Sequence, residues 1–307
     1  MSSVLSIQNI TKFYGSIQAL NDVSFEVPKG SVFGILGPNG SGKTTLLGIV
    51  MDILKPSRGN FLWNGKPGSN EMRKQIGTLL ETPNFYHYLS GQKNLLIAAA
   101  IKEKGKEDIP RVLEKVNLTQ RKDSKFSTYS LGMKQRLAIA STLLGDPDIL
   151  VFDEPTNGLD PAGIAEIRAL IKQLNRQGKT IIMASHILDE VEKVCTHVAI
   201  IQKGVLKTTG TVNEVLSATH DDKIATVEIE LGAENLPALE EALKQMPGII
   251  HISHSENILS IECDDGITAA GVNKFCFERG IVLSQLNLRR KSLERRFLEI
   301  TGNQSDR

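Results

Sequence analysis

Residues 37–44 read Gly37-Pro38-Asn39-Gly40-Ser41-Gly42-Lys43-Thr44 and fit G-x-x-x-x-G-K-[ST] at every fixed position. Residue types in this order suit one chemistry, the grip on a polyphosphate. Glycines let the backbone curl and turn its N–H groups inward. Lys43 brings a cation to the β- and γ-phosphates, and the Thr44 hydroxyl is a ligand for Mg²⁺. Thr45, at the start of the following helix, can reach the α-phosphate. Further along, ILVFDEP carries Asp153 and Glu154 to the carboxyl end of an apolar strand, where ligands bind in open α/β sheets. Neighbouring strand residues face opposite ways, so the two acids divide the work. Asp153 is the candidate on the metal side, and Glu154 the candidate for polarising an attacking water. His186 closes a second apolar strand, KTIIMASH, and its imidazole could donate to a terminal phosphate. YSLGMKQR supplies a second anion-shaped helix start: Ser130 at the entrance and Gly132 behind it leave bare backbone N–H groups.

These groups require strands that end, and helices that begin, along one edge. LSIQNI, VSFEV and SVFGILG read as short strands, the last running through the Gly-rich loop into the helical LLGIVMDIL. GNFLWNGK predicts a hairpin on Asn64-Gly65, and RKQIGTLLE a further strand. Residues 89–103 predict a helix capped by Ser90; PRVLEKVNL and the stretch after YSLG are also helical. Residues of about 85–146 thus form a helix-rich insert. PDILVFDE is a strand, AGIAEIRALIKQLNRQG an amphipathic helix ending at Gly178, and KTIIMASH a strand. ILDEVEKVC is a helix, and HVAIIQKGVLKTTG a hairpin around Lys203-Gly204. Strands alternating with helices predict an α/β domain with a largely parallel core sheet over residues 1–216. SATHDDK (217–223) is polar and aperiodic and marks a boundary. Residues 217–307 then predict a small α+β domain of β-α-β-β-α pattern.

A chain of 307 residues accommodates one large domain and a small one. With 40% hydrophobic and 23% charged residues it has the composition of a soluble globular protein. A formal net charge of +1 gives no bulk attraction for nucleic acid, and no such partner is expected. Cys195, Cys263 and Cys276 form no C-x-x-C pair, which disfavours a zinc site or a disulfide framework and fits reduced, buried thiols of the cytosol. The N-terminus lacks the layout of a signal peptide, and no apolar run approaches the ~20 residues that span a bilayer. Work at a membrane would therefore need another subunit.

Tyr14 in KFYG, then GPNGSGKT, YSLGMKQR, ILVFDEP, NGLD and SH follow one another as in a known family. Over about residues 3–215 the chain resembles the nucleotide-binding subunit of an ABC transporter. That resemblance implies a P-loop NTPase fold with an antiparallel β subdomain and a helical subdomain. It also implies hydrolysis of ATP with Mg²⁺, a head-to-tail pair of copies, and a polytopic permease that holds the pair at the inner face of the membrane. Ser130 and Gly132 would serve the γ-phosphate bound by the other copy, Tyr14 would stack on adenine, and Asp160 in NGLD would belong to the loop coupling the two half-sites. Asp160 also suits an N-cap before PAGIAEIRAL. The signature departs from the family's LSGGQ at Tyr129, Leu131 and Met133. Glu81 stands where the family has Gln; a carboxylate there could bind Mg²⁺ or water, and would raise the pKa of a neighbouring acid.

IGTLLETPNFY, YSLGMKQRLAIA and the ending SLERRFLEITG are most similar to exporters of bacitracin and lantibiotic type. An importer stays open, as does a soluble ABC ATPase acting on a ribosomal or nucleic-acid partner. The single cassette and the lack of a heptad run disfavour that second class. The aromatic patch NFYHY suits either a socket for a permease helix or a local hydrophobic cluster. In the C-terminal part no catalytic constellation stands out; His251 and His254 read as strand residues, and SLERRFLEI as an amphipathic helix.

Overall fold

The computed structural model describes residues 2–80, 84–217, 226–255, 258–264, 266–289 and 293–301. Two compact units divide it, built on Met1–Val212 and Asn213–Glu299. The first runs β1 (Ser3–Tyr14), β2 (Ile17–Pro28), β3 (Val32–Leu36), α1 (Lys43–Val50), β4 (Arg58–Trp63), β5 (Lys66–Pro67), α2 (Asn70–Lys74) and β6 (Ile76–Leu79). It continues with α3 (Gly91–Lys102), α4 (Ile109–Lys115), α5 (Leu131–Thr142), β7 (Ile149–Asp153), α6 (Pro161–Arg176), β8 (Thr180–Ser185), α7 (Leu188–Val194), β9 (His197–Gln202) and β10 (Val205–Thr211).

The central sheet has the order β10-β9-β3-β8-β7-β6. β9, β3, β8, β7 and β6 pair in parallel, and β10 adds an antiparallel edge. Parallel strands are covered on both faces, and β3, β7 and β8 are accordingly buried along their whole length. Their carboxyl ends share one edge: Leu36 pairs with Ser185, and Asp153 with Ala184. The other sheet of this unit, β2-β1-β4-β5, is antiparallel. It packs Val4, Ile7, Val23 and Trp63 into one core with Ile35, Leu46 and Ile182. α3, α4 and α5 fill the stretch between β6 and β7.

The Asn64-Gly65 and Lys203-Gly204 turns both have positive φ at the two central residues, the twist a tight hairpin needs. Two readings are corrected. Arg73 and Lys74 belong to α2, so that strand is confined to β6. β1 and β2 are longer than LSIQNI and VSFEV, because left-handed Asn9 and Asp22 break the two-residue alternation without ending the strands.

In the second unit, α8 (Val212–Ser217) is followed by β11 (Thr226–Ala233), α9 (Leu236–Lys244), β12 (Ile249–Ser255), β13 (Ile258–Asp264), α10 (Ala269–Phe277), β14 (Leu283–Arg289) and α11 (Leu293–Thr301). Its antiparallel sheet, β12-β13-β11-β14, makes the β-α-β-β-α pattern a β-α-β-β-α-β split unit with one strand more than expected. Ile229, Leu231, Leu243, Ile261 and Val272 form its core, joined by the buried thiols Cys263 and Cys276. Cys195 of the first unit is likewise buried, and burial pushes its thiol far above the ordinary range.

Candidate nucleotide site

β3 ends at Leu36 and the chain turns through residues 37–42 into α1. Gly42 holds the entrance at φ 106, where a side chain would be strained and a Cβ would lie 2.7 Å from Ala19 O. No carboxylate stands in the first turn of α1, so its free N–H groups keep a positive end for an anion. The Lys203-Gly204 turn braces the loop: Gly204 N donates to Ser41 O at 3.0 Å and Asn21 N to Gly204 O at 2.8 Å. A pocket of about 220 Å³ opens here, lined by Ala19, Asn39, Gly40, Gly42, Lys43, Thr44, Thr45 and Glu154. Ala19 was not legible as a site residue, because it stands on β2, far from the loop in sequence, and its carbonyl rather than its side-chain type matters.

Lys43 is buried, and its Nζ donates to Gly37 O at 2.8 Å and Pro38 O at 3.1 Å. The same Nζ lies 3.6 Å from Glu154 Oε1. Glu154 Oε2 in turn is 2.8 Å from His186 Nδ1. Lys43, Glu154 and His186, from three separate stretches, therefore meet at the carboxyl edge of the sheet. Asp153, the last residue of β7, is buried, whereas Glu154 leaves the strand at φ 48 with its N–H held by Ala184 O at 3.0 Å. A glutamate in left-handed backbone costs energy and persists where its surroundings fix it, as at reactive centres.

The donor set fits a magnesium nucleotide. Thr44 and Asp153 offer oxygen ligands of the hard kind Mg²⁺ takes. Ser41 Oγ is buried beneath the loop and makes no hydrogen bond. Glu81 lies outside the described residues.

Other expected site residues stand apart from this pocket. Tyr14 ends β1, half exposed, with Lys12 Nζ 5.0 Å above its ring; neighbouring Phe13 is exposed to a similar degree. Ser130 is the N-cap of α5, accepting from Met133 N at 3.3 Å, and is exposed. A Cβ on Gly132 would meet nothing within 4 Å, so the tip of α5 is open. Tyr129, by contrast, is buried, and its hydroxyl donates to Arg121 O at 2.7 Å. Its ring abuts Phe126, and its hydroxyl occupies the space where a Cβ on Gly91 would fall. Leu131 is half exposed and reaches toward Gly158 of NGLD. Asp160 is the N-cap of α6, accepting from Gly163 N at 2.9 Å. In NFYHY, Phe85 and His87 pack on buried Phe126, while Tyr86 and Tyr88 are exposed.

A phosphate cradle at a strand-to-helix turn, with a cation, a carboxylate and an imidazole at its mouth, defines a P-loop nucleoside triphosphatase. The ABC transporter family profile matches residues 20–157. The uncharacterized ABC transporter ATP-binding protein YhcH of Bacillus subtilis is 39% identical over 98% of this chain and 97% of its own length. The bacitracin transport ATP-binding protein BcrA of Bacillus licheniformis is 36% identical over 98% of each. Among solved structures, the ATP-binding cassette MJ0796, a dimer in a post-hydrolysis state bound to ADP and Pi, is similar with a TM-score of 0.61. It is 26% identical over 68% of this chain and 98% of that one. The chain belongs to the family of ABC transporter ATP-binding proteins, and as such it is an ATPase. Among the described residues, no helix is long and apolar enough to cross a membrane.

Proposed function

We propose that this chain is the ATP-hydrolysing motor subunit of an exporter of drug or peptide-antibiotic type. Two copies close on two ATP molecules and drive a separate polytopic permease from the inner face of the membrane. The similarity to BcrA across 98% of both chains carries the exporter assignment. Pairing is supported by a property of the site: the pocket at Lys43 is lined without Ser130 or Gly132, although their helix tip is open and suited to an anion. A second copy would bring that tip to the γ-phosphate. The similar cassette MJ0796 is dimeric in a post-hydrolysis state bound to ADP and Pi.

In this reading the loop N–H groups hold the phosphates, and Lys43 exchanges the carbonyls of Gly37 and Pro38 for phosphate oxygens. Tyr14 stacks on adenine from the end of β1. Glu154 accepts a hydrogen bond from the attacking water, and His186 fixes the Glu154 carboxylate through the 2.8 Å contact. Water adds to the γ-phosphorus as the bond to the β-phosphate oxygen breaks, giving ADP and phosphate. Thr44 and Asp153, with Glu81, would hold Mg²⁺, which supplies charge neutralisation on the β- and γ-oxygens. Loss of the γ-phosphate removes the contact that favours the closed pair, so nucleotide state biases a two-state switch. Exposed Tyr86 and Tyr88 provide a contact surface for a permease helix, with Phe85 and His87 anchoring the patch inward.

The exporter reading is tested by co-expressing the chain with the permease that co-purifies with it. Cells should gain resistance to bacitracin-class peptides, and the gain should disappear with Lys43→Ala. Unchanged sensitivity with an active ATPase would reject this substrate class.

A further inference from the structure

Three helices start just after motif residues: α5 is capped by Ser130, α6 by Asp160, and α7 follows His186. Nothing in the reaction itself uses the side chains deeper in these helices, yet two ion pairs bind them together there. Arg136 of α5 places Nε 3.3 Å from Glu166 Oε2 of α6. The same guanidinium donates to Val116 O, at the end of α4, at 3.2 Å. Arg168 of α6 grips Glu190 of α7 with both ends of its fork, Nε to Oε2 at 3.0 Å and Nη2 to Oε1 at 2.7 Å. Glu190 is only 6% exposed, a burial that a carboxylate tolerates when paired.

Glu166 and Arg168 are two residues apart, about 200° around the helix, so they leave α6 on opposite flanks. Arg136 and Glu166 each lie six residues past the caps Ser130 and Asp160, about 9 Å down each helix. Arg136 Nε makes no hydrogen bond, so this rung is an ion pair alone, and the bidentate Arg168–Glu190 rung is the firmer of the two. We propose that Arg136–Glu166 and Arg168–Glu190 lock α5, α6 and α7 into one rigid ladder, making these four positioning residues for hydrolysis. The ladder joins the helix tip that serves the other copy's nucleotide to the His186 that serves the chain's own. Movement at one half-site is thereby passed to the other. The α5 rung rests on the paired-copy reading; the α7 rung does not, since it places His186 within one chain.

The test uses the full-length chain carrying Glu166→Gln or Arg168→Met, with Arg168→Lys as the conservative control. Steady-state ATPase should show KM for ATP within about two-fold of the parent and kcat lower by about 10- to 100-fold, since a misplacement of about 1 Å at a reacting centre can cost about 10²-fold. Arg168→Lys should recover part of kcat. Glu166→Gln should also lower the Hill coefficient toward one. Glu166 is half exposed, so its variant folds even where loss of the buried rung proves too disruptive. Parental kcat and Hill coefficient in Glu166→Gln, or a rise in KM with kcat kept in Arg168→Met, would overturn the ladder. A parent chain with no cooperativity would count against pairing, and the kcat of Arg168→Met would still decide the α7 rung.

Discussion

Glu154 sits between a lysine and a histidine, with Nζ of Lys43 3.6 Å from one oxygen and Nδ1 of His186 2.8 Å from the other. A carboxylate so placed can orient a water without being spent on structure. Glu154→Gln should therefore keep ATP binding and lose phosphate release by about 10²–10⁴-fold, the range for a positioned proton acceptor. Glu81→Gln should retain ATPase activity, because the amide keeps an oxygen that can hold Mg²⁺ or water. Nucleotide-binding fluorescence and phosphate-release assays separate the two, and equal losses would undo this division of roles. At this scale the sequence singled out Lys43, Glu154 and His186 by residue type, and the structure places these three side chains together. Contacts made by backbone, such as Ala19 beside Gly42, leave no mark in residue type. Tyr129 reads as a departure within the signature, yet its hydroxyl bond to Arg121 O and its seat against Gly91 show a residue fitted to its own core.

Helices and strands were legible wherever hydrophobic period and caps agreed. Ser90 before α3 and Asp160 before α6 both accept from the N–H three residues on. β14 was missed for a physical reason. Leu283 and Leu286 are three apart, which breaks alternation, and the strand absorbs the extra residue as an irregularity opposite Gly232 and Ala233. Elements also meet through contacts no pattern announces. Lys102, near the end of α3, donates to Ser141 O, Thr142 O and Leu144 O at the end of α5. Burial, helped by the nearby charge of Lys104, lowers its ammonium from 10.5 to about 8. Between those values the unfolded chain holds a proton that the folded chain has released, so this group adds stability as pH rises through that window. Measured against Lys102→Met, the parent should gain up to about 3 kcal/mol between pH 7.5 and 10.5. Denaturant titrations at several pH values read the difference, and a flat difference would show that the ammonium stays charged.

The two units have separate cores, one around Ile35, Leu46 and Trp63 and the other around Ile229, Leu243 and Ile261. Separate cores predict separate cooperative transitions. Leu243→Ala should destabilise the second unit by about 2–5 kcal/mol, and calorimetry should show one transition moved and the other in place. At the scale of the whole chain, the motif series in the first unit named the fold and the chemistry, while the second unit offered only period and polarity. In the proposed pair of chains, the Ser130 tip of each copy would complete the nucleotide site of the other. Light scattering on the Glu154→Gln chain, with and without saturating Mg-ATP, tests this most directly. A nucleotide-dependent rise to twice the 33.6 kDa chain mass, abolished by Ser130→Arg, is the expected result. A particle of one chain at saturating Mg-ATP would contradict it.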